Sequence, residues 1–144
     1  MSVRRFCVQH VVKIHPTAMV CTAAKYMAEE AVGALVVVDR DNRPVGILTD
    51  RDIVVRALAK GRAADQTEVN GIMTATPVCI GEDASLAGAM AMMKYYRIRR
   101  LIVVNAAQEV AGIITIDDIF ALLAAERQAL ETATEVMRAI HYER

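Results

Sequence analysis

Apolar residues recur along this chain in short blocks, and the blocks alternate between two periods. Residues 11–14 and 78–80 are brief apolar runs of strand type. Behind each comes a stretch with apolar positions near helical spacing: Val20, Ala23, Ala24 and Met27 in one, Leu86, Ala89, Met90 and Met93 in the other. The continuous apolar runs 34–38 and 101–104 predict strands. Turn-like residues 39–42 and 105–108 separate them from second strands over 45–48 and 110–114, which run into helices at Thr49 and Thr115. The predicted order is β-α-β-β-α, twice.

The recurrence is literal. A shift of 66 residues superposes the second half on the first without a gap: Val12, Ile14, Ala18, Ala23 and Met27 fall on Val78, Ile80, Ala84, Ala89 and Met93. Between residues 12 and 59, 14 of 48 shifted positions are identical, too many in an ungapped run to be chance. The chain therefore divides into a first repeat over 8–62, a polar linker over 63–73, a second repeat over 74–128 and a helical extension over 129–144. Neither repeat carries enough apolar residues to stand alone, so the two are expected to pack about a pseudo-two-fold axis. The fold class is α/β in the broad sense (α+β), with a long C-terminal helix. That helix carries Ile119, Leu123, Leu130, Ala133, Met137 and Ile140 at four-three spacing, interrupted by Glu126. The stripe either covers the protein's own core or forms a dimer seam. The seam is preferred, because the stripe runs past the end of the repeat.

One motif occurs twice: strand, Gly, two apolar residues, Thr-x-x-Asp-Ile, helix. Taken singly, Thr49 with Asp52 and Thr115 with Asp118 are capping boxes. The same geometry suits a ligand. A helix N-terminus offers unpaired N–H groups and partial positive charge, and a hydroxyl and carboxylate three residues apart can grip a vicinal diol. Each side chain has more hydrogen-bonding capacity than a cap consumes.

Gly46-Ile-Leu-Thr-Asp-Arg-Asp-Ile53 and Gly112-Ile-Ile-Thr-Ile-Asp-Asp-Ile119 resemble the signature of cystathionine-β-synthase-type (CBS) domains. The preceding strands and the approach Gly71-Ile-Met-Thr74 resemble the family too, and the likeness covers about residues 10 to 128. It implies one module with two clefts between the repeats, holding an adenosyl ligand: AMP foremost, or ADP, ATP, an NAD-type dinucleotide or S-adenosylmethionine. By this resemblance Asp52 and Asp118 hold ribose hydroxyls, and Thr49 and Thr115 lie near the ribose or phosphate. The opening strands, with Val12, Ile14, Thr76, Val78 and Ile80, line the adenine. It also implies a homodimer and a regulatory role, with an effector protein contacted in trans. The alternative is a ligand-free scaffold or protein-interaction module on the same fold.

The repeats differ in charge. Arg97-Ile-Arg99-Arg100 stands where the first repeat has Ala31-Val-Gly33-Ala34. Arg99 and Arg100 are either surface residues or phosphate ligands, since guanidinium binds phosphate oxygens bidentately. The second reading makes the Asp118 cleft the tighter one. Arg51, in the place of Asp117, joins the candidates for the first cleft.

Composition removes other classes. Lys plus Arg and Asp plus Glu number 17 each, so no basic excess points to nucleic acid. No apolar run is long enough for a membrane span, and no signal peptide is expected. Three scattered cysteines suggest a reducing cytoplasm. His10, His15 and His141 have no partners at metal-ligand spacing, so no metal is expected. With no nucleophile–base pair and no Gly-rich phosphate loop, the sequence predicts no catalytic residues, no required cofactor and no enzyme.

Overall fold

The computed structural model describes residues 1–142, so the last two positions of the expected 129–144 extension lie outside it. Its elements follow the predicted order twice. The first repeat holds β1 (Lys13–Ile14), α2 (Val20–Glu30), β2 (Ala34–Val38), β3 (Pro44–Thr49) and α3 (Asp50–Asp52), which widens into a π-helical turn at Ile53–Leu58. The second holds β5 (Cys79–Gly81), α4 (Leu86–Tyr96), β6 (Arg100–Val104), β7 (Val110–Thr115) and α5 (Ile116–Tyr142). Three further elements precede these sets: α1 (Val3–Phe6) ahead of the first, and a 3-10 turn at Val69–Gly71 with β4 (Thr74–Ala75) ahead of the second.

Each repeat builds the same small sheet. β1 runs parallel to β2, which pairs antiparallel with β3; β5, β6 and β7 repeat this pattern. Register matches across the repeat: Leu35 faces Leu48, and Leu101 faces Ile114. Even the ladder irregularity recurs, at Val37/Val38 and at Val103/Val104.

The continuous apolar strands follow from burial on two faces. Leu35 and Val37 point into the first repeat's core with Val20, Ala23 and Leu48, and Leu101 and Val103 do the same in the second with Leu86, Ala89 and Ile114. The alternate residues, Val36 and Val38 with Ile102 and Val104, form a third apolar layer that joins the repeats. Those four positions are related by the 66-residue shift, so the layer lies across the pseudo-two-fold axis.

The segments outside the two predicted sets exchange between repeats. Val3 and Phe6 are buried in the second repeat's core, and Val69 and Ile72 take the same places in the first. The Val3 N–H donates to the Ala84 carbonyl at 2.8 Å, and the Val69 N–H donates to the Ala18 carbonyl at 2.8 Å. Residues expected as linker thus supply core side chains. The first seven residues, which lie ahead of the expected repeat over 8–62, cap repeat two. Burial of each large apolar side chain here contributes about 1.5–3 kcal/mol, so these segments belong to the fold.

The long helix divides the predicted stripe. Ile119 is fully buried and Leu123 half-buried, but Leu130 is 69% exposed and Met137 70%. Beyond Leu123 the stripe does not cover the protein's own core. Among the described residues no helix is long and apolar enough to cross a membrane.

Candidate functional site

Two clefts open between the repeats, and the 66-residue shift converts one wall into the other. The larger, about 330 Å³, is lined by Ile47, Thr49, Thr74, Thr76, Pro77, Val78, Ile98, Arg99, Arg100 and Ile102. The smaller, about 230 Å³, is lined by the shifted equivalents Ile113, Thr115, Val8, His10, Val11, Val12, Val32, Gly33, Ala34 and Val36, and also by Arg100. Each cleft therefore combines the Thr turn of one repeat with the opening strand of the other. This crossing follows from packing the two sheets through the shared apolar layer.

Both Thr turns cap helices, and they do so differently. Thr49 Oγ1 accepts the Asp52 N–H at 3.2 Å while Asp52 Oδ2 accepts the Thr49 N–H at 2.9 Å, a complete capping box. The second oxygen of Asp52 lies 3.7 Å from Arg56 Nε. Thr115 Oγ1 accepts the Asp118 N–H at 3.1 Å, but the return bond is not formed. Among the described residues, the half-buried Asp118 carboxylate accepts no hydrogen bond and makes no ion pair.

The clefts bring together some of the expected residues and leave out others. Thr49, Thr76, Val78, Arg99 and Arg100 share the larger cleft, whereas Val12 and Thr115 line the smaller. Asp52 and Asp118 stand one turn behind their threonines and form no part of either wall. Ile14 and Ile80 are buried in the two cores, because two residues past Val12 and Val78 the strands have passed under the helices. Arg51 is exposed and lines neither cleft.

Of the two arginines, Arg99 falls on the other side from the one expected, the Asp118 cleft of its own repeat. Crossing of the repeats instead sets Arg99 beside Thr49, where the opposite cleft has Gly33, and only Arg100 borders both. Arg99 also pairs with Asp117 at 2.9 Å, both side chains largely exposed.

Thr76 stands out in the larger wall. Its φ of 53° puts a β-branched residue in the left-handed region, which costs on the order of 1–3 kcal/mol. Among the non-glycine residues with positive φ, Ala31 matches Arg97 and Asn42 matches Gln108 under the shift, but Thr76 has no such mate. Wall residues missed from sequence include Ile47, Thr74 and Ile98 in one cleft and Ile113, Val8 and Val32 in the other, and these are themselves shift-related pairs. Knowing one wall, the repeat would have supplied the other.

Comparison with known proteins bears on these clefts. A family profile described as CBS domain matches residues 3–58 and 69–125. The CBS domain-containing protein YhcV of Bacillus subtilis is 32% identical over 142 residues, covering 99% of this chain and 96% of that protein. Among solved structures, a putative signal-transduction protein with CBS domains from Burkholderia ambifaria is similar with a TM-score of 0.77 and 30% identity, covering 87% of this chain and 95% of that one. The CBS domain protein PAE2072 from Pyrobaculum aerophilum, solved in complex with AMP, has a TM-score of 0.74 at 27% identity over 82% of this chain and 89% of its own. The CBS domain pair of MJ0100, in complex with 5-methylthioadenosine and S-adenosyl-L-methionine, has a TM-score of 0.77 at 27% identity, over 88% and 98%.

Proposed function

The chain belongs to the CBS-domain family as a tandem pair, and on that premise we propose that it is a regulatory, non-catalytic module that binds an adenosine-containing ligand between its repeats. One observation carries this reading. In a single cleft of about 330 Å³, the apolar residues Val78 and Ile98, the capped helix start at Thr49 and the cationic residues Arg99 and Arg100 surround one space. These are the three chemistries that an adenine base, a ribose and a phosphate require: an apolar slot, oriented hydroxyl and N–H groups, and a bidentate cation. AMP is the foremost candidate, because the cleft is small and its cations are confined to one stretch of wall. The AMP-bound and adenosyl-bound structural relatives support the same ligand class.

In this reading the nucleotide occupies the Thr49 cleft first, with Asp52 reaching the ribose from behind Thr49. The Thr115 cleft, with Val12 in its wall and the unengaged Asp118 carboxylate behind it, is the secondary site. Signalling in trans would pass through self-association, by way of exposed Val54, Leu58, Phe120 and Met137 on the helices that follow the two Thr turns. The engagement of Asp52 in its capping box favours the second reading, a ligand-free interaction module on the same fold.

Thermal unfolding in the presence of AMP, ADP, ATP, NAD and S-adenosylmethionine separates the two. A ligand at a hundred times its dissociation constant stabilises the folded state by about 2.7 kcal/mol. No shift with any of the five sinks the ligand-binding reading and leaves the interaction module.

A further inference from the structure

We infer that Arg100 is a single cation shared by both clefts, and that it makes the binding of two phosphate-bearing ligands mutually antagonistic while leaving uncharged adenosyl ligands independent. The inference rests on the adenosyl-binding reading above and adds its regulation. Among the wall residues of the two clefts Arg100 alone lines both. Its counterpart under the repeat is Ala34, which lines only the smaller cleft. The two-fold pattern of the backbone therefore encloses an unsymmetrical charge.

The backbone explains the position. Arg100 sits directly opposite Thr115 in the β6–β7 ladder, and the neighbouring Arg99 carbonyl accepts the Ile116 N–H at 2.9 Å. The main chain of Arg100 is thus pinned at the Thr115 turn, on the border of the smaller cleft. Arg100 also forms part of the larger cleft's wall.

Arg99 lines only the larger cleft and pairs at the surface with Asp117 at 2.9 Å, so it is not a cation the two clefts share. Arg100 is half-buried, and among the described residues its guanidinium has no ion-pair or side-chain hydrogen-bond partner. A guanidinium grips one phosphate through its paired N–H groups, so it serves one cleft at a time. A phosphate in either cleft removes the cation from the other, and by linkage the penalty is reciprocal. An uncharged adenosyl group makes no claim on Arg100. Mixed occupancy, a nucleotide in one cleft and an uncharged adenosyl compound in the other, stays open.

Calorimetric titration of the full chain with AMP and, separately, with adenosine tests this. The readout is the ratio of the two stepwise dissociation constants. For AMP this ratio should exceed the adenosine ratio by about tenfold or more, within the usual range of coupling between sites. In Arg100→Gln, which keeps a long polar side chain without the charge, the AMP ratio should collapse to the adenosine value. Equal ratios for the two ligands in the wild type, or one site for both, overturn the inference without touching the adenosyl-binding reading. So does an AMP ratio that survives Arg100→Gln, since that locates the antagonism elsewhere. Should that variant fail to fold, the wild-type comparison of AMP with adenosine still decides. Binding of neither ligand removes the adenosyl-binding reading itself, and this inference with it.

Discussion

Replacing Gly112 by alanine should destabilise the protein through a collision that its motif is built to avoid. A Cβ at Gly112 would stand 2.9 Å from the Val8 carbonyl oxygen and 2.9 Å from Cys7 Sγ. The Val8 carbonyl cannot retreat freely: it accepts the Ile113 N–H at 3.0 Å, and the Val8 N–H donates to the Ile113 carbonyl at 2.8 Å. Relieving the contact means stretching that pair of bonds, each worth about 0.5–1.5 kcal/mol net, or forcing strain into a packed core at about 1–3 kcal/mol. The displaced segment also carries Val3 and Phe6, both fully buried in the second core. A loss of about 1–3 kcal/mol is therefore expected. At about 2–4 °C per kcal/mol for a chain of this size, the melting temperature should fall by roughly 2–12 °C. Circular dichroism melts and urea titrations of Gly112→Ala measure it. Gly81→Ala is the control, since a Cβ there meets nothing within 4 Å. Gly46→Ala should behave like Gly112→Ala, because its Cβ would stand 3.0 Å from the Thr74 carbonyl and against Met73. If Gly112→Ala and Gly81→Ala melt together, the glycine is not there to admit the exchanged segment and the reasoning fails.

Two further outcomes are expected. Leu58→Asp combined with Met137→Asp, at two side chains exposed by 72% and 70%, should convert an oligomer to a monomer in light scattering, with little change in secondary structure; an unchanged molar mass refutes the proposed seam. Burial pushes the Cys7 and Cys79 thiols above the range of a free thiol, with the backbone hydrogen bond and Arg4 opposing and Glu82 adding to the rise at Cys7. The folded protein thus holds these protons more tightly than the unfolded chain. Their contribution to stability is complete at neutral pH and is lost as pH rises through the folded thiols' range. Urea titrations from neutral to alkaline pH should show a steeper decline for wild type than for a Cys7→Ala, Cys79→Ala double variant, and parallel curves refute the assignment.

The fold was legible because its signals are local. Strand 34–38 reads as a continuous apolar run, and the helices around Ala23 and Ala89 carry their own periodicity. The exchanged segments were not legible. Val3 and Phe6 lie in a run with Arg4 and Arg5 that has no helical or alternating pattern, and four residues are too few to show one. The shift could still have found them: Val3 and Phe6 fall on Val69 and Ile72, just outside the window where the identities cluster. The site was half legible for a related reason. Each Thr turn follows from its own sequence as a cap, but which strand faces it depends on how the sheets cross, and no local pattern encodes that. Arg99 and Arg100 adjoin the turn of their own repeat in the chain, yet only Arg100 borders the Thr115 cleft, and Arg99 lines the other. Closeness in the chain does not translate into closeness in the cleft for Arg99, because the shared layer of Val36, Val38, Ile102 and Val104 sets it beside the turn of the other repeat.

That crossing bears on how a bound ligand could be reported. A ligand in the Thr49 cleft touches both repeats at once, so its binding energy depends on their separation across the apolar layer. It can act on the rest of the molecule only through such a difference between states. The helix that starts at Thr49 widens into a π-helical turn at Ile53–Leu58 and exposes Val54 and Leu58, whereas the helix from Thr115 is α-helical to Tyr142. π-Helical turns are strained and tend to mark functional positions. On the proposed reading the nucleotide cleft therefore adjoins the more deformable of the two helices. On that reading the long regular helix would be the fixed half of a self-association surface, and the short one the half that ligand moves.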